Sequence, residues 1–208
     1  MELDFRKLIV TKLFDFSKDE EKLIIEMFDQ LSEIYSISVT DIKNSPYDQF
    51  NSGDPDLLKT PKICYYITNE DKTNTFYLFI MNTIGISGKG ARTTDKYDSL
   101  EIWGLKKLNE DFGFISVNRK KLADKIAGIF SQFNVNFKEN RDFKDFYVLG
   151  SDSFKTMAFL TPQRKEIIKS FPDEDFKLEV KSDILGFGLP KTLNVNNALI
   201  ISKFLNDI

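Results

Sequence analysis

The chain has 208 residues, of which 41% are hydrophobic and 29% are charged, and its formal net charge at pH 7 is −3. This composition indicates a globular protein of one large or two small domains and excludes a disordered or fibrous chain. Because the chain contains no histidine, it cannot form a Ser-His-Asp triad, a Cys-His pair or a histidine-based metal site.

Phenylalanine is unusually frequent, with 20 residues in the chain and 13 of them from Phe112 onward. Since each ring can bury a large apolar surface, this predicts an aromatic-rich core in the C-terminal half. Cys64 is the only cysteine, so no intrachain disulfide can form, which fits a reducing compartment. In the predicted strand around it, Cys64 is expected to be a small buried hydrophobic residue and not a nucleophile.

The location and partners of the protein are predicted from charge and hydropathy. The first residues are partly acidic and lack the apolar stretch of a signal peptide. No uninterrupted apolar run approaches the roughly 18 residues that suggest a membrane-spanning helix. We therefore expect a cytoplasmic protein without membrane insertion. The net charge is also far from that of a typical nucleic-acid-binding protein, so no specific nucleic-acid binding is expected.

Residues 1–42 are predicted to form a helical segment. Ser17 and Glu20 have the spacing of a capping box, and apolar residues then recur at three- and four-residue steps, which predicts a helix over residues 18–35. A shorter helix is expected before it. Turn-forming residues between 43 and 61 indicate a connection, either a boundary between domains or a long loop on the surface of one domain.

The remainder, residues 62–208, is predicted to be one α+β domain. Two hairpins are expected, one with arms at 63–68 and 76–84, the other with arms at 76–84 and 97–105 around a tip at 85–92. The later predicted elements are a strand at 112–117, a helix capped by Asn118 and ending near 133, a strand near 143–148, a helix from the Thr161 cap and Pro162 to about 171, strands at 176–180 and 184–189, and a last helix capped by Asn194. Without regular strand–helix–strand alternation, the sheet should be largely antiparallel.

Short motifs in the second half occur in a recognisable order. Gly-Lys-Gly at 88–90 precedes a strand-to-helix step at 114–122, then Phe-Tyr-Val-Leu-Gly-Ser-Asp at 146–152 and Ala-Phe-Leu-Thr-Pro at 158–162. This order resembles an uncharacterised bacterial domain family that carries F-x-V-x-S-x-D followed by A-x-x-L-T-P. Many of its members place the domain after predicted membrane helices, which this sequence does not contain. The resemblance covers about residues 60–208 and implies a fold but no activity and no catalytic residues.

Lys89, Arg92 and Lys96 lie at or near the predicted glycine-rich tip. The tip lacks the spacing and the following helix of a phosphate-binding P-loop. It is interpreted either as a plain hairpin loop, because glycine adopts turn conformations freely, or as an anion contact.

Arg119, Lys120 and Lys121 would place three bases at the start of the predicted helix, where they oppose the helix dipole. They indicate either a partner surface or an ordinary solvated face. Asp152, between two serines, is interpreted as a local turn residue or as a functional carboxylate.

Two functional hypotheses follow. The first is a non-catalytic binding or interaction module without a cofactor, since no established catalytic constellation is present. The second is an enzyme working through carboxylates such as Asp54, Asp56, Glu110 and Asp111, with Mg²⁺ as a candidate ion. In addition, the amphipathic N-terminal helix is a candidate surface for self-association or for another protein.

Overall fold

The computed structural model describes residues 16–51, 59–88, 94–120 and 143–208. Within these residues, eight strands form one sheet in which every neighbouring pair is antiparallel. The strands are β1 (Ser36–Thr40), β2 (Lys59–Thr68), β3 (Thr75–Gly88), β4 (Thr94–Lys107), β5 (Phe114–Arg119), β6 (Phe146–Gly150), β7 (Lys177–Lys181) and β8 (Ile184–Leu189). Their order across the sheet is β1-β2-β3-β4-β8-β7-β5-β6. The predicted α+β class with an antiparallel sheet is confirmed.

The helices are α1 (Lys18–Ser32), α2 (Tyr47–Asn51), α3 (Ser153–Phe159), α4 (Pro162–Ser170) and α5 (Val195–Asp207), and a 3₁₀ turn spans Ile42–Asn44. The capping box at Ser17 is formed, with its amide 2.8 Å from Glu20 Oε2. Thr161 and Asn194 cap α4 and α5 as predicted. Each cap accepts a hydrogen bond from an amide that would otherwise lack a partner in the first turn.

One face of the sheet, the core face, is covered by α1 and α5. Ile24, Met27 and Leu31 of α1 are buried in the same apolar cluster as Ile201 and Leu205 of α5. Because side chains alternate along a strand, every second residue of the central strands enters this cluster. Its centre contains the predicted aromatic residues. The Phe187 ring stacks on the Phe204 ring with centroids 3.7 Å apart. The Phe171 ring packs edge-to-face against the Phe187 ring, with centroids 4.8 Å apart.

Three predictions in the first half were wrong. Residues 36–40, predicted to be helical, form β1, in which Ile37 lies opposite Ile67, because alternating β-branched residues favour a strand. The predicted connection extended too far, since β2 already begins at Lys59 and passes Pro61 beside an irregularity in the register. The hairpin tip was predicted too long, because backbone pairing continues to Gly88 and Thr94.

The helix predicted from Asn118 was wrong at its start. Asn118 lies within β5 opposite Tyr147, and its side-chain Nδ2 donates a hydrogen bond to Ser116 Oγ at 3.1 Å. The rest of that prediction, from residue 121, lies outside the described residues, as does the short helix predicted before residue 16. The helix α3 was not predicted, because its seven residues carry too little apolar periodicity.

Candidate functional site

The opposite side of the sheet, here called the outer face, carries a second and smaller apolar cluster. Its buried members are Cys64, Phe79, Met81, Leu105 and Ile184, which lie on strands β2, β3, β4 and β8. Tyr47 and Phe50 of α2 and Trp103 of β4 pack against them. The short helix α2 therefore covers only part of the outer face, and apolar rings stand at the edge of the covered area.

Two glycines in β8 position the rings of this cluster. Gly186 and Gly188 face outward on either side of Phe187, which points into the core. A Cβ atom at Gly186 would meet the Phe50 ring, and one at Gly188 would meet the Trp103 ring. Since the two rings lie directly against the strand backbone, only glycine leaves room for them.

Trp103 is fixed by polar contacts as well as by packing. Its indole Nε1 donates to Glu101 Oε2 at 3.0 Å, and the Lys59 ammonium reaches the same oxygen at 3.3 Å. The Lys59 nitrogen also lies 4.4 Å from the centroid of the Trp103 ring. Only 9% of the Glu101 side chain is exposed, so its charge is neutralised within the protein by Lys59 and the indole group. Trp103 thus belongs to the outer-face cluster and lies outside the main core.

A pocket of about 130 Å³ is lined by residues of α2 and of strands β2, β3, β4 and β7. Strand β8 lies between β4 and β7 in the sheet. Its apolar lining comes from Tyr47, Phe50, Phe79, Met81, Trp103 and Leu105, and its polar lining comes from Asn51, Lys59, Lys177, Glu179 and Lys181. The apolar side chains form the floor and one wall, and three of the lining residues are lysines. We refer to it as the outer-face pocket.

The charged side of the outer-face pocket is formed by β7. Lys177, Glu179 and Lys181 are alternate residues of this strand, so all three project toward the outer face beside the two glycines of β8. The Lys181 nitrogen lies 4.7 Å from the centroid of the Phe50 ring. The backbones of Lys177 and Glu179 are paired in the sheet, but within the described part of the chain their side chains make no hydrogen bond or ion pair. Their charged ends are therefore available to a ligand.

Cys64 lies beneath this cluster with 1% of its surface exposed. The pKa of the thiol is raised to about 12, mainly by burial; a hydrogen bond with Ser45 lowers it in part, and the charge of Asp41 adds to the rise. At neutral pH the sulfur is consequently protonated and inaccessible. This agrees with the predicted role of Cys64 as a small buried hydrophobic residue.

The basic residues selected from the sequence do not line the outer-face pocket. Lys89, Arg92 and Lys121 lie outside the described residues, and Lys96 lies in β4 opposite Ile86. Arg119 is the last residue of β5, not part of a helix, and pairs with Glu174 at 3.2 Å while donating to the Lys169 carbonyl. The following residue, Lys120, donates to the Lys144 carbonyl. These last two residues connect neighbouring segments of the fold.

The selected carboxylates are also separate from the outer-face pocket. Asp152 is the N-cap of α3, where Oδ1 accepts from the Lys155 amide at 3.0 Å. Glu110 and Asp111 are exposed, and a bond from the Gly113 amide, followed by Lys155, lowers the pKa of Asp111. Asp54 and Asp56 lie outside the described residues. No group of metal-binding side chains is present among the residues described here, and the carboxylate enzyme stays a prediction.

Lys59, Trp103 and Lys181 were not predicted as site residues. They lie on three strands, β2, β4 and β7. The pairing of β2 with β3 and of β3 with β4 brings Lys59 to Trp103, and the pairing of β4 with β8 and of β8 with β7 brings Lys181 to the same region. A sequence signal does exist in Gly-Phe-Gly at 186–188. Alternating glycines in a strand indicate close approach by another group, but the group itself cannot be read from the sequence.

Comparison with known proteins gives no match, whether by family model, curated sequence or solved structure. The resemblance to the uncharacterised bacterial family therefore stays a prediction. None of the helices in the described ranges is long and apolar enough to cross a bilayer.

Proposed function

We propose that this chain is a non-catalytic binding module and that its ligand site is the outer-face pocket. The observation that carries the proposal is the position of the Trp103 ring beside an open cavity, where it is held by Glu101 and Gly188. A half-buried aromatic ring with fixed orientation and nearby charged groups is characteristic of recognition sites.

The chemistry of the lining supports binding more than turnover. The thiol nearest the pocket is buried and protonated. The carboxylate of Glu101 is held by Lys59 and the Trp103 indole, which leaves Glu179 as the other acidic side chain at this site. Acid–base catalysis generally uses a pair of groups in different states of protonation. Because Glu179 has no second acidic group of this kind beside it in the lining, the pocket is better suited to holding a molecule than to converting it.

A fragment screen tests this proposal. Uniformly ¹⁵N-labelled protein would be titrated with small neutral, anionic and cationic compounds, and amide shifts would be mapped by NMR. We expect the largest shifts in α2, β2, β3, β4 and β7, because residues of these elements line the pocket. Hits that map only to other surfaces would contradict the assignment of the site. Turnover of a bound compound that is lost on Glu179→Gln substitution would contradict a non-catalytic role.

We include a cytoplasmic location in the same proposal, supported by the single cysteine, which is buried and unpaired. Fusion of the full chain to a fluorescent protein that folds only in reducing compartments tests it. Fluorescence throughout the cell interior is expected, and a fusion that is produced in full length but does not fluoresce would contradict the location.

A further inference from the structure

We propose, building on the binding-module assignment, that the outer-face pocket takes a small organic anion with one flat apolar ring, such as an aromatic monocarboxylate. The ligand ring would lie on the apolar lining of Phe79, Met81 and Leu105, beside the edges of the Trp103 and Phe50 rings. Its carboxylate would lie beside Lys177 and Lys181. Three independent features of the pocket lead to this class of ligand.

The first feature is size. The cavity measures about 130 Å³, and an apolar cavity of about 150 Å³ is known to hold one benzene molecule. The pocket is therefore matched to one six-membered ring and is too small to enclose a nucleotide or most cofactors. The buried floor of Phe79, Met81 and Leu105 offers apolar contact over the same area.

The second feature is the occupation of the aromatic faces. Lysine ammonium groups already lie over two of the rings, Lys59 over Trp103 and Lys181 over Phe50. A cationic ligand would have to displace them and would meet their repulsion. An anion instead meets ammonium hydrogens. Each ammonium group carries three donors, and that of Lys181 makes no hydrogen bond within the described residues.

The third feature is the balance of charge. The pocket is lined by three lysines and Glu179, and the charge of Lys59 is neutralised by Glu101 at 3.3 Å. Lys177 and Lys181 remain against a single carboxylate, which leaves a net positive rim. A monoanion compensates this excess, whereas a neutral ring leaves it unchanged.

Fluorescence titration of the full chain tests the proposal directly, because Trp103 is the only tryptophan. The probes are benzoate, benzamide and benzylamine, which share a ring and differ in charge. We expect benzoate to change the emission with an affinity roughly threefold to tenfold above that of benzamide, as expected for charge-assisted contacts near the surface. Benzylamine should bind most weakly. A tryptophan amide solution corrects for collisional quenching.

Two variants locate the anion. Lys181→Gln should weaken benzoate binding roughly threefold to tenfold and leave benzamide binding unchanged. Lys203→Gln is the matched control, since it removes the same charge from α5, where 76% of the Lys203 side chain is exposed and paired with Asp207. Circular dichroism would establish that both variants are folded.

The outcomes separate this inference from the proposal on which it rests. Equal affinity for benzoate and benzamide, or tighter binding of benzylamine, overturns the anionic ligand but leaves a binding pocket. A response to benzoate that Lys203→Gln reduces as much as Lys181→Gln also overturns it. If none of the three probes binds, the ligand class is wrong, and the NMR screen then decides whether the pocket binds anything. If the molecular mass in solution doubles as the protein concentration rises and benzoate returns it to that of one chain, the pocket binds a second copy of the chain and not a small molecule.

Discussion

Replacing Gly188 by alanine tests whether this glycine exists to make room for the Trp103 ring. The new methyl group would overlap the ring, so the indole must move away from the strand. Moving it breaks the 3.0 Å bond to Glu101, a contact with a charged group worth about 1.5 kcal/mol, and the contact with Lys59, worth about 0.5 kcal/mol. We therefore expect Gly188→Ala to lower the free energy of unfolding by about 2 kcal/mol, which is within the range for overpacking.

The same substitution should have the opposite effect where the ring is absent. In a Trp103→Ala background the added methyl group meets no ring, and alanine restricts the unfolded chain more than glycine does. Gly188→Ala should then stabilise the protein by about 0.5 kcal/mol. The coupling energy between the two positions is consequently about 2.5 kcal/mol, well above the value for independent sites.

Urea unfolding of the four proteins, followed by circular dichroism, measures this coupling. Far-ultraviolet dichroism is suitable because two of the four proteins lack the fluorescent residue. A loss of stability that is the same in both backgrounds to within about 0.5 kcal/mol would refute the reasoning. It would show that the glycine is required for the conformation of β8 itself and not for the contact with Trp103.

Three further predictions concern other parts of the fold. Asp152→Ala should lower the free energy of unfolding by about 1 kcal/mol, because it removes the N-cap of α3, and thermal unfolding measures this. Cys64 should resist thiol reagents at pH 8 in the native protein and react once urea unfolds the chain. Because the native pKa of Cys64 is about 12, only the unfolded thiol ionises when the pH rises above the ordinary thiol pKa. The free energy of unfolding should therefore fall in that pH range. Partial burial raises the pKa of Asp173, but the hydrogen bond and charge of Lys191, 2.7 Å away, together with the bond from the Asp175 amide, outweigh this and the net pKa is lowered. Its contribution to stability is present above the ordinary carboxyl pKa and is lost as the pH falls through the lowered native value, so unfolding curves from pH 5 downward should show a smaller acid loss in Lys191→Met than in the parent protein.

The parts of the fold that were predictable are those fixed by contacts within a few residues. Ser17 and Glu20 are three residues apart and satisfy each other, so their capping box is visible in the sequence. The turn at Ser182 is also local and joins two adjacent strands, β7 and β8. By contrast, Asn118 has the chemistry of a helix cap, but pairing with Tyr147 in β6 determines its conformation. Tertiary contacts prevailed over local preference at that position.

The site was not predictable because it depends on strand order. β4 and β8 are neighbours in the sheet although residues 108–183 separate them in the chain. No local pattern specifies this pairing, and without it Trp103 has no relation to Gly188 or to Lys181. Basic clusters such as Arg119–Lys121 and neighbouring acids such as Glu110 and Asp111 are visible in the sequence because their side chains are adjacent in the chain. The outer-face pocket instead collects single residues from separate elements.

Successive residues of β8 face opposite sides of the sheet, so residues that stabilise the core and residues that support the outer-face pocket can be changed separately. Phe187 points into the core and stacks on Phe204, whereas its neighbours Gly186 and Gly188 support the pocket on the opposite face. Phe187→Leu should therefore lower the free energy of unfolding by about 1–2 kcal/mol and leave the benzoate affinity of the folded protein unchanged. Lys181→Gln should do the reverse, because an exposed charge contributes little to folding. Paired unfolding and fluorescence measurements on the two variants test this. If Phe187→Leu weakens benzoate binding as much as Lys181→Gln does, the two faces are coupled through the strand and the pocket is not a separate functional surface.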